Sequence, residues 1–286
     1  MADNGITAGP FLKWAGGKSQ LLAQYAPFFP AERPARYFEP FVGSGAVFFY
    51  LRGRDFAGNY TLWDINPELI NVYQAVRDEV EVVITLLADH RDAHAAGGRG
   101  HYYAVRAMDR HPGWPESLPP AARAARMIYL NKTCYNGLWR VNSRGHFNVP
   151  PGRYRRPPIL DTGRLRAAAA ALQGVDLAVH DFRAVLDEAR PGDFVYFDPP
   201  YVPLSQTASF TSYAREDFGE SDQRALADVF RALDRHGVRV MLSNADAPLV
   251  HELYRGFRIE IVQARRAINS RAARRGPISE VVILNA

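Results

Sequence analysis

The sequence predicts an α/β protein built on a seven-stranded, mostly parallel sheet. Three observations carry that expectation. Short β-like runs recur at Arg36–Glu39, Tyr60–Asp64, Asp176–His180, Asp193–Asp198, Val238–Ser243, Phe257–Val262 and Glu280–Asn285. Amphipathic helical stretches separate most of them, at Pro67–Ala88, Leu165–Leu172, Ser221–Arg235 and Ala247–Tyr254. Strands alternating with helices imply parallel pairing with both sheet faces covered. Finally, 286 residues suffice for one large core or two average domains.

Composition narrows the function. With 47% hydrophobic and 23% charged residues, the chain is neither disordered nor fibrous. Its longest apolar run, Pro40 to Leu51, is broken by Gly and Ser and is too short to span a bilayer. No basic head with an apolar segment behind it opens the chain, so export is not expected. The single cysteine, Cys134, excludes an internal disulfide and a cysteine-rich zinc site. Lysine occurs only at Lys13, Lys18 and Lys132, so arginine supplies most of the basic residues behind the +5 charge. Arginine forks onto phosphates and guanine edges, although a GC-rich coding sequence gives the same excess.

The first strand run leads into Glu39-Pro-Phe-Val-Gly-Ser-Gly45 and then a helix from Val47 onward. Gly43 and Gly45 allow close backbone approach, and the helix start offers free N–H groups. Glu39 argues against a pyrophosphate and suits a ligand carrying a cationic ammonium; the alternative is an ordinary tight turn. Asp64 ends the second run roughly 20 residues beyond the glycine turn, where an acid accepts hydrogen bonds from ribose hydroxyls. Asn66 reads as the cap of the next helix, with Pro67 at its first position.

Residues 65–175 separate the second and third runs. Ala121–Leu130 reads as a helix, but Asn131–Pro158 is rich in Asn, Gly, Pro, Tyr and Arg without a clear period. Irregular stretches of that length inside a domain are usually functional. Glu79–Arg166 is therefore read as an inserted module, mainly helical, with its polar loops as a contact surface.

The fourth run ends Val195-Tyr-Phe-Asp-Pro-Pro-Tyr201, the sharpest motif in the chain. Two prolines stiffen the backbone just after a buried strand, so Asp198 and the Pro199 carbonyl hold fixed positions at the carboxyl edge of the sheet. Two acceptors aimed at one point suit an amino-group donor, and Tyr201 offers a ring for a base to stack on. The bland alternative is a proline-stiffened loop with a capping Asp.

Asp198-Pro199-Pro200-Tyr201 resembles the catalytic motif of amino-methyltransferases acting on adenine N6 or cytosine N4 in DNA. Phe11-Leu-Lys-Trp-Ala-Gly-Gly-Lys18, Glu39–Gly45, Asp64-Ile-Asn-Pro67 and Asn131–Tyr154, the last including Tyr135-Asn-Gly-Leu138 and Gly145-His-Phe-Asn-Val-Pro150, resemble motifs of the Dam-type DNA adenine methyltransferases. The resemblance runs in the family's order from Phe11 to the last strand. It implies a Rossmann-like S-adenosylmethionine methyltransferase sheet (10–78 and 167–286) with an inserted DNA target-recognition domain (79–166). It also implies S-adenosylmethionine as cofactor and duplex DNA as partner. No membrane and no metal are expected, the location expected is cytoplasmic and nucleoid-associated, and a monomer is expected because one flipping site needs no partner.

Carried over residue by residue, the resemblance puts Trp14 and Lys18 by the methionine part of the cofactor, together with Glu39, Gly43 and Gly45. Asp64 would hold the ribose, Ile65 would pack on the adenine, and Asp181 would approach the adenine amine; a helix cap is the alternative for Asp181. Asp198 and Pro199, stiffened by Pro200, would hold the target amine while Tyr201 stacks on its base. A base amine is a poor nucleophile because its lone pair is delocalised. Two hydrogen bonds from it favour a pyramidal nitrogen able to attack the sulfonium methyl, and positioning supplies much of the rate. The adenine must first be flipped out of the duplex.

In the inserted module the resemblance makes Tyr135 a wedge in the duplex and sets Asn136 against the unpaired thymine. Lys13, Leu138, Arg140, Pro150 and Tyr154 would lie at or near bases, and Lys132, Asn142, Asn148 and Arg153 at phosphates. The implied site is GATC. Thr133-Cys134 and Trp139 depart from the family's pattern. Arg265, Arg266, Arg271, Arg274 and Arg275 could track phosphates or stay solvated, and Ser209–Tyr213 could close over the base or pack through Phe210. His90 and His94 share a helix face without a carboxylate or cysteine to complete a metal site, and read as surface or capping residues. A cytosine N4, RNA or protein methyltransferase, an inactive relic and a nicotinamide oxidoreductase are the competing readings. The leading Asp and the insert oppose the first group. The filled catalytic positions oppose the relic, and the lack of an evident hydride site opposes the oxidoreductase.

Overall fold

Each strand run read from the sequence is a strand, with ends shifted by no more than two residues: β1 (Arg36–Glu39), β2 (Asn59–Asp64), β3 (Asp176–Val179), β4 (Phe194–Phe197), β5 (Arg239–Ala245), β6 (Arg258–Ala264) and β7 (Ile278–Leu284). The structure is a computed structural model that describes residues 7–202, 218–264 and 278–285. Its helices are α1 (Leu22–Tyr25), α2 (Ala46–Arg52), α3 (Pro67–Asp78), α4 (Val80–Gly97), α5 (Arg99–Ala107), α6 (Pro120–Thr133), α7 (Thr162–Leu172), α8 (Val185–Glu188), α9 (Glu220–Arg235) and α10 (Pro248–Leu253). The expected segments Arg265–Arg275 and Ser209–Tyr213 fall outside the described residues. Two compact units result: Met1–Gly17, Gly43–Arg54 and Asn66–Val179 form the first, and Lys18–Val42, Asp55–Ile65 and His180–Ala286 the second.

The second unit holds six strands in the order β2-β1-β4-β5-β7-β6, and the first unit holds β3. β1 runs parallel to β2 and β4, and β4 parallel to β5. β7 is antiparallel to both β5 and β6. All four residues of β4 are buried, as in a parallel strand covered on both faces, which is why it reads as a continuous apolar run. β1 leads to β2 on one side while β4 leads to β5 on the other. That divergence is a topological switch point, where ligands bind at the carboxyl ends of strands. Glu39 and Asp198 sit at its two lips. Arg36 forks onto the buried Asp193, Nη2 to Oδ2 at 2.7 Å, and ties the start of β1 to the start of β4. α9 buries Leu226, Ala227, Phe230 and Leu233 along one stripe, and Gln223 lies on that stripe as well.

In the first unit, Asn66 caps α3 as expected: its Oδ1 accepts from the Glu68 and Leu69 N–H groups at 3.0 and 3.3 Å. The stretch read as one helix, Pro67–Ala88, is two. The backbone turns at Glu79 (φ −134°), and α4 starts afresh at Val80. Val72, Val76, Val83 and Leu87 keep helical spacing across the break, so periodicity hides it. α3 and α4 both pack against α6. The buried Arg126 on α6 pairs with Asp109 at 2.9 Å, and Asp109 also accepts the Phe147 N–H at 2.7 Å. His90 and His94 are neither surface nor capping residues. Their half-buried rings pack on Tyr129, His90 faces His101 at 3.1 Å, and burial pushes His90 down to about 4.

Candidate functional site

In the second unit the site grows from the end of β4. Asp198 follows the buried Phe197, and Pro199 is buried behind it. Lys18 Nζ lies 2.8 Å from Asp198 Oδ1, and Ser243 Oγ lies 2.9 Å from the same oxygen. A carboxylate only accepts, so Ser243 spends its one proton on Asp198. Tyr196, 2.9 Å from Ser243 Oγ, must then donate to it. The result is a directed chain, Tyr196 to Ser243 to Asp198, ending on an oxygen that Lys18 also holds. Oδ2 of Asp198 has no hydrogen bond to any described residue. Burial pushes the Asp198 carboxyl above its ordinary range; Lys18 and Ser243 pull it back in part.

Tyr201 continues the loop. Its hydroxyl donates to Glu280 Oε2 at 2.7 Å, and Lys18 Nζ sits 4.5 Å from its ring centre. Burial also raises the Glu280 carboxyl. Pro200 O accepts from Gln223 Nε2 at 2.7 Å, and the Val202 N–H donates to Asn244 Oδ1 at 3.2 Å. The two amides join, Asn244 Nδ2 to Gln223 Oε1, at 3.0 Å.

Around the other strand ends, Glu39 is buried and accepts the Tyr37 hydroxyl at 2.7 Å. Asp64 ends β2, and the next side chain, Ile65, is 70% exposed, a large apolar surface beside an acid. Phe41 stacks on Phe182, ring centres 5.5 Å apart. Asp181 caps the turn at Phe182 by accepting the Arg183 N–H at 2.9 Å, and its carboxylate also pairs with the Arg183 guanidinium.

The first unit carries the remaining expected residues. Gly16, at φ +80°, turns the chain so that the Gly17 N–H reaches Trp14 O at 3.1 Å. Gly43 and Gly45 both have positive φ; a Cβ on Gly43 would stand 2.9 Å from the Trp14 ring and one on Gly45 2.8 Å from the Tyr73 hydroxyl. The glycine turn is thus fixed by backbone conformation and by two aromatic side chains pressed on it. Asn131, fully buried, exchanges hydrogen bonds with the Lys13 backbone at 2.8 and 2.7 Å and donates to Gly137 O at 2.9 Å. It holds Lys13 to the Tyr135-Asn136-Gly137 turn, where Asn136 has φ +55°. Lys13 Nζ meets the Tyr154 hydroxyl at 3.3 Å.

Arg140–Asn148 forms a hairpin. The Asn148 N–H donates to Arg140 O at 3.1 Å, and the Asn142 side chain accepts from the Arg144 and His146 N–H groups inside the turn. Arg140 Nε donates to Asn148 Oδ1 at 2.7 Å, which sets the plane of the guanidinium. Tyr135, Leu138 and Tyr154 are exposed, and Pro150 and Arg153 line one groove with Tyr135, Arg99 and Tyr103. Lys132 is mostly buried; burial and Lys13 push its ammonium down to about 8. No group of described residues has the donors to hold a metal ion.

Sequence reasoning missed Ser243, Asn244, Gln223 and Glu280. A signal existed for the first three. Ser243 and Asn244 are polar residues at the carboxyl end of an apolar strand, and Gln223 is a polar residue on an apolar helical stripe. Glu280 meets the site because β7 runs antiparallel and pairs Glu280 with Ala245.

The family model described as D12 class N6 adenine-specific DNA methyltransferase matches residues 14–268. The chain is 42% identical over 287 residues to a type II methyltransferase, M1.LlaDCHI, of Lactococcus lactis subsp. cremoris, covering 100% of this chain and 98% of that protein. It is 42% identical over 286 residues to the type II methyltransferase M.MjaIII of Methanocaldococcus jannaschii, covering 96% and 98%. It is 35% identical over 278 residues to the DNA adenine methylase of Escherichia coli (strain K12), covering 96% and 94%.

Proposed function

The chain belongs to the D12 class of N6 adenine-specific DNA methyltransferases, and on that premise we propose that it transfers the methyl group of S-adenosylmethionine to N6 of an adenine flipped out of duplex DNA, within GATC. One observation carries this reading. Asp198 projects from the sheet's switch point with Oδ1 held by Lys18 and Ser243, while Oδ2 is bonded to no described residue. Oδ2 and the Pro199 carbonyl are then two acceptors for the two hydrogens of an amino group.

The donor set in the second unit fits S-adenosylmethionine. Asp64 is an acceptor for a ribose diol, exposed Ile65 is an apolar face for an adenine ring, and Glu39 is a buried carboxylate for an ammonium. Lys18 would meet a carboxylate, and Asp181 would reach the adenine amine by exchanging its Arg183 contact. Trp14, Gly43 and Gly45 are proposed as cofactor residues on the resemblance of their motifs alone. S-adenosylmethionine supplies a methyl group already activated by its sulfonium.

The chain's own residues do the rest. Accepting both amine hydrogens at Asp198 Oδ2 and Pro199 O localises the nitrogen lone pair, and Tyr201 holds the base plane by stacking. Burial keeps the Asp198 carboxyl above its ordinary range, so Oδ2 can take the proton that the methylated nitrogen sheds. The module 79–166 reads the DNA. Tyr135 wedges into the duplex and Asn136 meets the orphaned thymine. Arg140, its plane set by Asn148, addresses guanine, with Lys13, Leu138, Pro150 and Tyr154 at neighbouring bases and Lys132, Asn142, Asn148 and Arg153 at phosphates. No helix among the described residues is long and apolar enough to cross a membrane, and a monomer at the nucleoid accords with a single flipping site.

The test is product analysis. Duplexes with and without GATC are incubated with the chain and methyl-labelled S-adenosylmethionine, digested, and the nucleosides resolved by mass spectrometry. N6-methyladenine confined to the GATC duplex, and lost in Asp198→Ala although DNA binding persists, is the expected result. N4-methylcytosine, or normal turnover by Asp198→Ala, contradicts the reading.

A further inference from the structure

The loop after β4 has little backbone with which to hold itself. Pro199 and Pro200 carry no N–H, so the segment offers two adjacent prolyl carbonyls and no donor until Tyr201. A target amine needs one of those carbonyls at a fixed distance from Asp198. The structure holds the segment by side chains instead. Gln223 Nε2 from α9 donates to Pro200 O at 2.7 Å, and Asn244 Oδ1 from β5 accepts the Val202 N–H at 3.2 Å. Asn244 Nδ2 donates to Gln223 Oε1 at 3.0 Å, and Asn244 Oδ1 also accepts the Ala245 N–H at 2.8 Å. Gln223 is 2% and Asn244 0% exposed, so both amides would be costly if unpaired. Their bonds close a ring through the loop on both sides of Tyr201.

We propose that Gln223 and Asn244 are positioning residues for methyl transfer: the paired amides occupy the Pro200 carbonyl and fix the segment, leaving the Pro199 carbonyl for the target amine. The pair touches neither substrate. It acts through the loop, so its loss falls on the chemical step rather than on binding. This deepens the proposed function and rests on it, since it takes Asp198 and Pro199 as the acceptors of the amine.

Gln223→Glu isolates the key bond. The carboxylate still accepts from Asn244 but no longer donates to Pro200. A misplacement of about 1 Å costs on the order of 100-fold in rate, so the expected fall in the single-turnover methylation rate is roughly 10- to 100-fold. DNA affinity, S-adenosylmethionine affinity and the fluorescence rise of 2-aminopurine at the flipped position should stay near wild type. Asn244→Asp is the companion variant. It keeps both backbone N–H partners and loses only the donation to Gln223, and it should show the same split with a smaller fall. Should Gln223→Glu fail to fold, Asn244→Asp decides alone. The inference is overturned if a folded variant turns over at the wild-type rate, or if the rate falls only in step with lost binding or flipping. In those cases wild type still makes N6-methyladenine and the functional reading stands. A wild-type chain that methylates no adenine removes both.

Discussion

The directed chain from Tyr196 through Ser243 to Asp198 makes a quantitative prediction for Ser243→Ala. The substitution deletes a 2.9 Å hydrogen bond to a carboxylate and leaves the buried Tyr196 hydroxyl without its acceptor. A charge-assisted bond contributes about 1.5–3 kcal/mol and an orphaned hydroxyl costs about 1–3 kcal/mol; part of each is relieved by relaxation, so the expected loss is roughly 2–4 kcal/mol. At about 2–4 °C per kcal/mol for a chain of this size, Tm should fall by roughly 4–16 °C. Tyr196→Phe removes the hydroxyl that Ser243→Ala would strand. The double variant should therefore be destabilised by less than the sum of the singles, by about 0.5–3 kcal/mol. Denaturant unfolding of the four proteins measures this. Strict additivity would show that the two hydroxyls are not coupled and refute the directed chain. Ser243 also lowers the Asp198 carboxyl, so the acid limb of activity should move to higher pH in Ser243→Ala.

Three further outcomes are expected. Asp109→Ala strands the buried Arg126 guanidinium and releases the Phe147 N–H; denaturant unfolding should show a loss of about 3–5 kcal/mol, and unchanged stability would remove the pair from the account. Burial raises the Asp198 carboxyl and Lys18 opposes that rise. With Asp198 as the proposed amine acceptor, turnover should need its ionised form and be lost as pH falls through this raised value. In Lys18→Met the acid limb of kcat, measured at saturating cofactor and DNA, should therefore lie at higher pH than in wild type; an unmoved limb would contradict the Lys18–Asp198 coupling. Lys132 is pushed down to about 8 and a phosphate would raise it. Its contribution to DNA affinity is then full below about 8 and fades as pH rises through the bound-state value. Fluorescence anisotropy across that range should show a fall in wild type and a flatter profile in Lys132→Arg; parallel profiles would take Lys132 off the phosphates.

The strands were legible because strands buried on both faces read as unbroken apolar runs, as Phe194–Phe197 does. The antiparallel insertion of β7 between β5 and β6 was not, since Val281, Val282 and Ile283 look the same whichever neighbour they pair with. The break at Glu79 escaped because apolar spacing continues across it and no Gly or Pro marks it. At the site, Asp198 and Tyr201 stood out through the prolines between them. Their supports did not. Gln223, Asn244 and Glu280 lie 23, 42 and 79 residues from the loop positions they bond. Lys18 was expected near a cofactor carboxylate, and in the structure it lies on Asp198 at 2.8 Å. That pairing joins residues 180 positions apart in the chain, a relation that only the fold brings out.

The proposed function requires that Asp198 present its acceptors to adenine in a defined duplex sequence. The direct measurement is expression of the wild-type chain and of Asp198→Ala in cells that lack adenine methylation, followed by single-molecule sequencing of the whole genome. N6-methyladenine at nearly every GATC with the wild-type chain, and at none with the variant, is the predicted result. Methylation at a different motif would retain the reaction and discard the base contacts of Leu138, Arg140 and Pro150. An unmodified genome, from a folded chain that binds S-adenosylmethionine, would contradict the account.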